Sequence, residues 1–184
     1  MNSFVQNKEC KDPIDHSVVS IAAPSILLLN GVKDLIPVLE SFKIPYETSI
    51  VAAHRAPNKT LRYIQKLEEK GIEVIIACGS GSAHLPGMIA SLTTIPVIGI
   101  PLESNFFNGL DSLVSIIQMP SGVPVATVGM GSSHNAAILA CQILSLKYQF
   151  LREKIKVYKK ELEKAVETED NSVRDKYSWH DFGG

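Results

Sequence analysis

The chain of 184 residues is 45% hydrophobic and 20% charged, enough apolar material for one domain to bury a sizeable core. Its 18 basic and 19 acidic side chains give no overall positive field, which argues against nucleic acid or an anionic membrane as a partner and leaves any bound phosphate to a local site. The three cysteines, Cys10, Cys78 and Cys141, form no C-x-x-C pair and no cysteine-histidine cluster, so the sequence suggests neither a disulfide framework nor a metal centre and fits a reducing cytoplasm.

The opening residues, MNSFVQNKECKDPIDH, are polar and mixed in charge, unlike a secretory signal, and residues 1–24 are expected to form a loose extension. The apolar run Ile21 to Leu29 is interrupted by Pro24 and Ser25 and is too short to span a bilayer. Short Val- and Ile-rich runs predict strands at Ser25–Leu29, Tyr46–Val51, Val74–Cys78, Pro96–Ile100 and Val123–Val128. Between them, helices are expected at Leu35–Phe42, Asn58–Lys70 (with Leu61, Ile64 and Leu67 inward), Leu85–Ser91 and Asp111–Gln118. This alternation predicts an α/β fold: a three-layer sandwich with a five-stranded parallel sheet, flavodoxin-like, in one domain over 25–168. From Asn135 onward a long helix of about thirty residues is expected, and its stripe of Phe150, Leu151, Ile155, Tyr158 and Leu162 either packs on its own domain as a solvated amphipathic tail or, the preferred reading, meets a neighbouring subunit. Residues 169–184 read as a polar tail.

Ligands in such folds bind beyond the carboxyl ends of the strands, and the loops there carry the unusual residues. After the second strand come His54 and Arg55, a titratable ring and a guanidinium just before a helix. A histidine in a loop is often structural, but an arginine at a helix start suits phosphate. After the third strand comes Cys78-Gly79-Ser80-Gly81-Ser82-Ala83-His84-Leu85-Pro86. Its small residues either let the backbone approach a ligand or make a tight structural turn, and its spacing is neither a P-loop nor a dinucleotide fingerprint. After the fourth, Phe106 and Phe107 either wall a pocket for a flat heterocycle or belong to the core, and Asp111 reads as a helix cap.

In this order the strings SIVAAHRAP, GSGSAHLPGMIA, PVIGIP, GLDSLVSIIQMPSGVPVATV and NAAILACQIL resemble the N5-carboxyaminoimidazole ribonucleotide mutases of purine biosynthesis. The resemblance implies exchange of a carboxylate between an exocyclic nitrogen and a ring carbon, with no cofactor and no metal. It implies His54 as the proton-transfer group, Arg55 on the substrate phosphate, and Gly79, Ser80, Gly81, Ser82, Ala83, His84 and Leu85 around the migrating carboxylate. It also implies a cytoplasmic homo-octamer acting on a small ribonucleotide.

Three departures from that family stand out. Its G-S-x-S-D loop after the first strand is expected at Leu28-Leu29-Asn30-Gly31-Val32-Lys33-Asp34, where Asp34 is either a displaced ribose ligand or a helix cap. Ala52 replaces a phosphate-binding serine, and Gly131-Ser132-Ser133-His134-Asn135 is a shortened loop. An active mutase with an altered phosphate site, a silent ligand-binding oligomer and an enzyme for another carboxylated heterocycle all remain open on these residues.

Overall fold

The computed structural model describes residues 14–105 and 107–177. Five parallel strands, β1 (Val19–Ala23), β2 (Tyr46–Ile50), β3 (Val74–Ser80), β4 (Val97–Leu102) and β5 (Ala126–Thr127), form one sheet in the order β2-β1-β3-β4-β5. Helices α1 (Ile26–Asn30), α2 (Leu35–Ser41), α3 (Pro57–Glu69), α4 (His84–Ala90), α5 (Leu110–Ile117), α6 (Ser133–Leu144) and α7 (Gln149–Tyr177) complete the chain.

The strands read as continuous apolar runs because alternate residues go into two separate cores. Ile21, Ile76, Cys78, Ile98 and Ile100 point to one face, where Leu35, Leu39, Ala137, Cys141, Leu144 and Leu151 cover them. Ala22, Ile75, Ala77 and Val97 point to the other, under Ile64 and Leu67 of α3 and Leu85 and Ile89 of α4. Both faces of the inner strands are therefore dry, which is the condition for a parallel sheet.

Sequence expectations are corrected first at β1 and α3. The first strand is Val19–Ala23, not Ser25–Leu29, so residues 19–24 are part of the sheet and its exit rather than of an extension. Ser25 ends the strand because its Oγ accepts the Leu28 N–H (3.4 Å) as the cap of α1, and that capping bond commits the apolar ILLLN to a helix. On α3 the buried side is Thr60, Ile64 and Leu67, while Leu61 is 43% exposed, as a 3.6-residue period requires.

The expected C-terminal helix is two helices. At the joint, Glu73 Oε1 accepts hydrogen bonds from Lys147 Nζ (2.7 Å) and Tyr148 OH (2.6 Å), which pins the turn below β3. Leu151 and Ile155 then anchor the start of α7 in the chain's own core, about 1.5–3 kcal/mol each for full burial, and Phe150 and Tyr158 pack against it, so this part of the stripe expected on a neighbouring subunit is used within the chain. Farther along, Leu162, Val166 and Val173 are about half exposed or more. The polar-tail reading of 169–184 overlaps the end of α7, and its last residues lie outside the described ones, as does Cys10. Among the described residues no helix is long and apolar enough to cross a membrane.

Candidate active site

Because β1, β2 and β3 are parallel neighbours, their carboxyl ends deliver Pro24, Ala53-His54 and the loop from Gly79 to Leu85 to one side of the sheet. The strand order reverses there, between β1 and β3, and open α/β sheets leave a crevice at such a point. It is a cavity of about 360 Å³ lined by Pro24, Ala53, His54, Gly79, Ser80, Ser82, Ala83, His84 and Leu85.

His54 is set by a tight turn. The amides of Arg55 (3.0 Å) and Ala56 (2.9 Å) both donate to the Ala52 carbonyl, and Pro57 then opens α3. Proline suits a first helical turn and forces the residue before it out of helical geometry, so Ala56 has φ −145°. The helix cannot extend back into the loop, and His54 stays exposed at the cavity. Arg55 Nη2 donates to the Pro24 carbonyl (2.8 Å), tying this loop to the end of β1. A guanidinium carries five N–H donors, more than that bond uses.

The opposite wall is the turn between β3 and α4. A Cβ at Gly79 would lie 2.8 Å from Ala83 Cα, so the loop can fold back on itself only over a glycine. Gly81 has φ +65°, and Ala83, the residue before α4, has φ 40° and ψ 40°. Left-handed backbone costs a non-glycine residue about 1–2 kcal/mol and persists where the surroundings enforce it. Here Ser80 Oγ donates to the Glu103 carbonyl (2.7 Å) and the Gly81 N–H donates to Ser112 Oγ (2.7 Å). The turn starts α4 with His84 facing His54, ring centroids 6.5 Å apart and planes at 64°.

Two imidazoles on facing walls, with a small-residue turn between them, can exchange a proton with a flat substrate while holding a carboxylate against the backbone. Cys78, just below the turn, is not a nucleophile: burial pushes its thiol up to about 12. Among the described residues no three His, Cys, Asp or Glu side chains converge to hold a metal ion.

The family model described as AIR carboxylase matches residues 19–165, from the first residue of β1 into α7. The chain belongs to the AIR carboxylase family. It is 54% identical over 135 residues to a Pyrococcus horikoshii protein named N5-carboxyaminoimidazole ribonucleotide mutase, covering 73% of this chain and 76% of that one. A Thermotoga maritima protein of the same name is 52% identical, covering 73% of this chain and 78% of its own. The Schizosaccharomyces pombe phosphoribosylaminoimidazole carboxylase is 49% identical over 74% of this chain, but the match spans 25% of that longer protein. The crystal structure of Treponema denticola PurE superposes with a TM-score of 0.77 at 24% identity, covering 88% of this chain and 98% of its own, a likeness of fold.

Of the residues singled out from the sequence, His54, Gly79, Ser80, Ser82, Ala83, His84 and Leu85 line the same cavity. Gly81 sits among them with its amide turned outward to Ser112, and Arg55 stands beside them on Pro24. Asp34 does not reach it. Helix α1 and the turn at 31–34 carry Asp34 to the start of α2, where it is exposed and makes no side-chain cap bond. The loop after β1 instead begins at Pro24-Ser25, and Ile26 and Leu27, which follow, stand 70% and 75% exposed. Phe107 is 80% exposed, so it is no core residue, and Phe106 lies outside the described residues. Pro24, Ala53 and Ser112 were missed: nothing local marks them, since their roles come from strand ends and a helix brought together by folding.

Proposed function

We propose that this protein interconverts N5-carboxyaminoimidazole ribonucleotide and 4-carboxyaminoimidazole ribonucleotide in purine biosynthesis. The observation that carries this reading is the His54–His84 pair facing across a cavity at the β1/β3 reversal of an AIR carboxylase fold. The N-carboxylate leaves as CO2 while His54 supplies a proton to the exocyclic nitrogen. The CO2 rests against the turn from Gly79 to Leu85 beside His84, the ring carbon attacks it, and His54 takes back the ring proton. One proton is given and one recovered, so the step needs no outside reagent. Holding CO2 beside the carbon is a proximity effect that fails if water displaces it.

Arg55 serves the 5′-phosphate, with Ser25, next to the Pro24 whose carbonyl Arg55 holds, as a second ligand. The ribonucleotide is bound in the cytoplasm by an octamer in which the exposed half of α7 lies on a neighbouring subunit. The experiment is a spectroscopic assay that follows loss of 4-carboxyaminoimidazole ribonucleotide in the reverse direction. The parent should turn over, and His54→Asn should be slower by at least about a hundredfold, as removal of a general acid/base predicts. No turnover from the folded parent would favour a silent homologue, the reading to which the apolar Ile26-Leu27 step lends weight.

A further inference from the structure

The turn that aims His84 is strained; it closes on its own Ala83 N–H to Ser80 carbonyl bond (3.2 Å) and is held further by groups outside the cavity. Ser112 is fully buried on the first turn of α5, yet it carries a hydroxyl where an alanine would fill most of the same space. That hydroxyl accepts the Gly81 N–H at 2.7 Å. The helix that carries it is itself held: Ser104 Oγ donates to Asp111 Oδ1 at 2.6 Å, fastening the start of α5 to the segment after β4. Gly109, before α5, has φ +87°, and a Cβ there would meet Met130 Sδ and stand 3.1 Å from Glu103 Cα. An unbroken line of restraint therefore runs from the end of β4 through Asp111 and Ser112 to Gly81, Ala83 and His84.

We propose that Ser112 is a positioning residue for the reaction: its hydroxyl holds the Gly81 amide and so fixes the left-handed turn at Ala83 that sets His84 opposite His54. The inference rests on the functional reading above. Ser112 touches no substrate, and its removal leaves both histidines present but lets the turn relax toward ordinary backbone geometry. A buried serine kept only for packing predicts something different, namely a loss of stability without a specific loss of rate.

The test compares the parent with Ser112→Ala and Ser112→Cys, each as the full-length assembled protein. Reverse-direction kinetics, hydrogen exchange of the segment 79–83 and thermal melting are measured on all three. The expected result for Ser112→Ala is at least tenfold faster exchange confined to that segment and a kcat lower by tenfold or more. KM should change less than threefold, and melting should stay within a few degrees of the parent. The thiol is a weak acceptor of similar shape, so Ser112→Cys should recover part of the rate.

Faster exchange with full kcat would overturn the proposal, as would unchanged exchange, or a rate loss accompanied by exchange spread across the sheet. Should Ser112→Ala fail to fold, Ser112→Cys decides by the same readouts, because its weakened acceptor must still loosen the segment and slow kcat. A parent without turnover would sink the mutase reading alone, and exchange of 79–83 would still show whether Ser112 holds the turn.

Discussion

At position 79 any side chain would place its Cβ 2.8 Å from the Cα and 2.9 Å from the Cβ of Ala83. Neither atom can swing aside as the end of a flexible side chain could, so the turn must open. Gly79→Ala is expected to cost about 1–3 kcal/mol, the usual range for forced overpacking. The displaced residues lead straight into His84, so kcat should fall further than the melting shift alone would suggest. Melting curves beside kinetics check this, and an unaltered kcat would show that the loop yields harmlessly. This part of the site was legible because glycine and histidine announce themselves within one short loop. Ser112 was not, since a serine on an apolar helix looks the same whether it packs or accepts an amide from a residue far away in sequence.

Hydrophobicity marks whole elements in the sequence, and β1 and α7 show its limit. VSIAA has a serine and two alanines, so it looks a poor strand beside the more apolar ILLLN. Yet VSIAA lies between β2 and β3 and pairs with both, and Tyr63 OH bonds Ser20 Oγ at 2.8 Å so that the polar group is satisfied in the core. Asp34 stands away from the cavity for the same reason: the loop that leaves β1 begins at Pro24, and α1 separates it from Asp34. Helix α7 was read well for length but not for the break before it, which depends on Glu73 in a distant segment. Among the described residues, the contacts of its exposed half are local to the helix, such as the Arg174–Asp170 pair (2.9 Å), worth about 0.3–0.5 kcal/mol, and the Thr168 Oγ1 bond to the Lys164 carbonyl (2.8 Å). If the proposed octamer rests on this face, a double substitution, Leu162→Asp with Val166→Asp, should leave the sheet folded but shift the assembly to smaller species. Sedimentation velocity measures this, and an unchanged assembly would assign the contact to another surface.

For the molecule as a whole, three buried acids set a limit at alkaline pH. Burial pushes the thiols of Cys78 and Cys141 from 9.0 to about 12 and the Tyr63 hydroxyl from 10.0 to about 12. The folded chain keeps protons that the unfolded chain releases. Their stabilisation is therefore complete below the unfolded values and is lost as pH rises from about 9 toward 12. The melting temperature should decline steadily across that interval, as calorimetry at a series of pH values would show. A flat profile would mean that these groups ionise without unfolding.

Strand β3 leads into the Gly79–Leu85 turn at one end and is preceded at the other by Glu73, which holds the joint before α7. Seven residues of extended chain put roughly 23 Å between those ends. Over generations, a substitution near Glu73 can redirect how copies meet while the chemistry is inherited intact, and changes in the turn can retune the chemistry within an unaltered assembly.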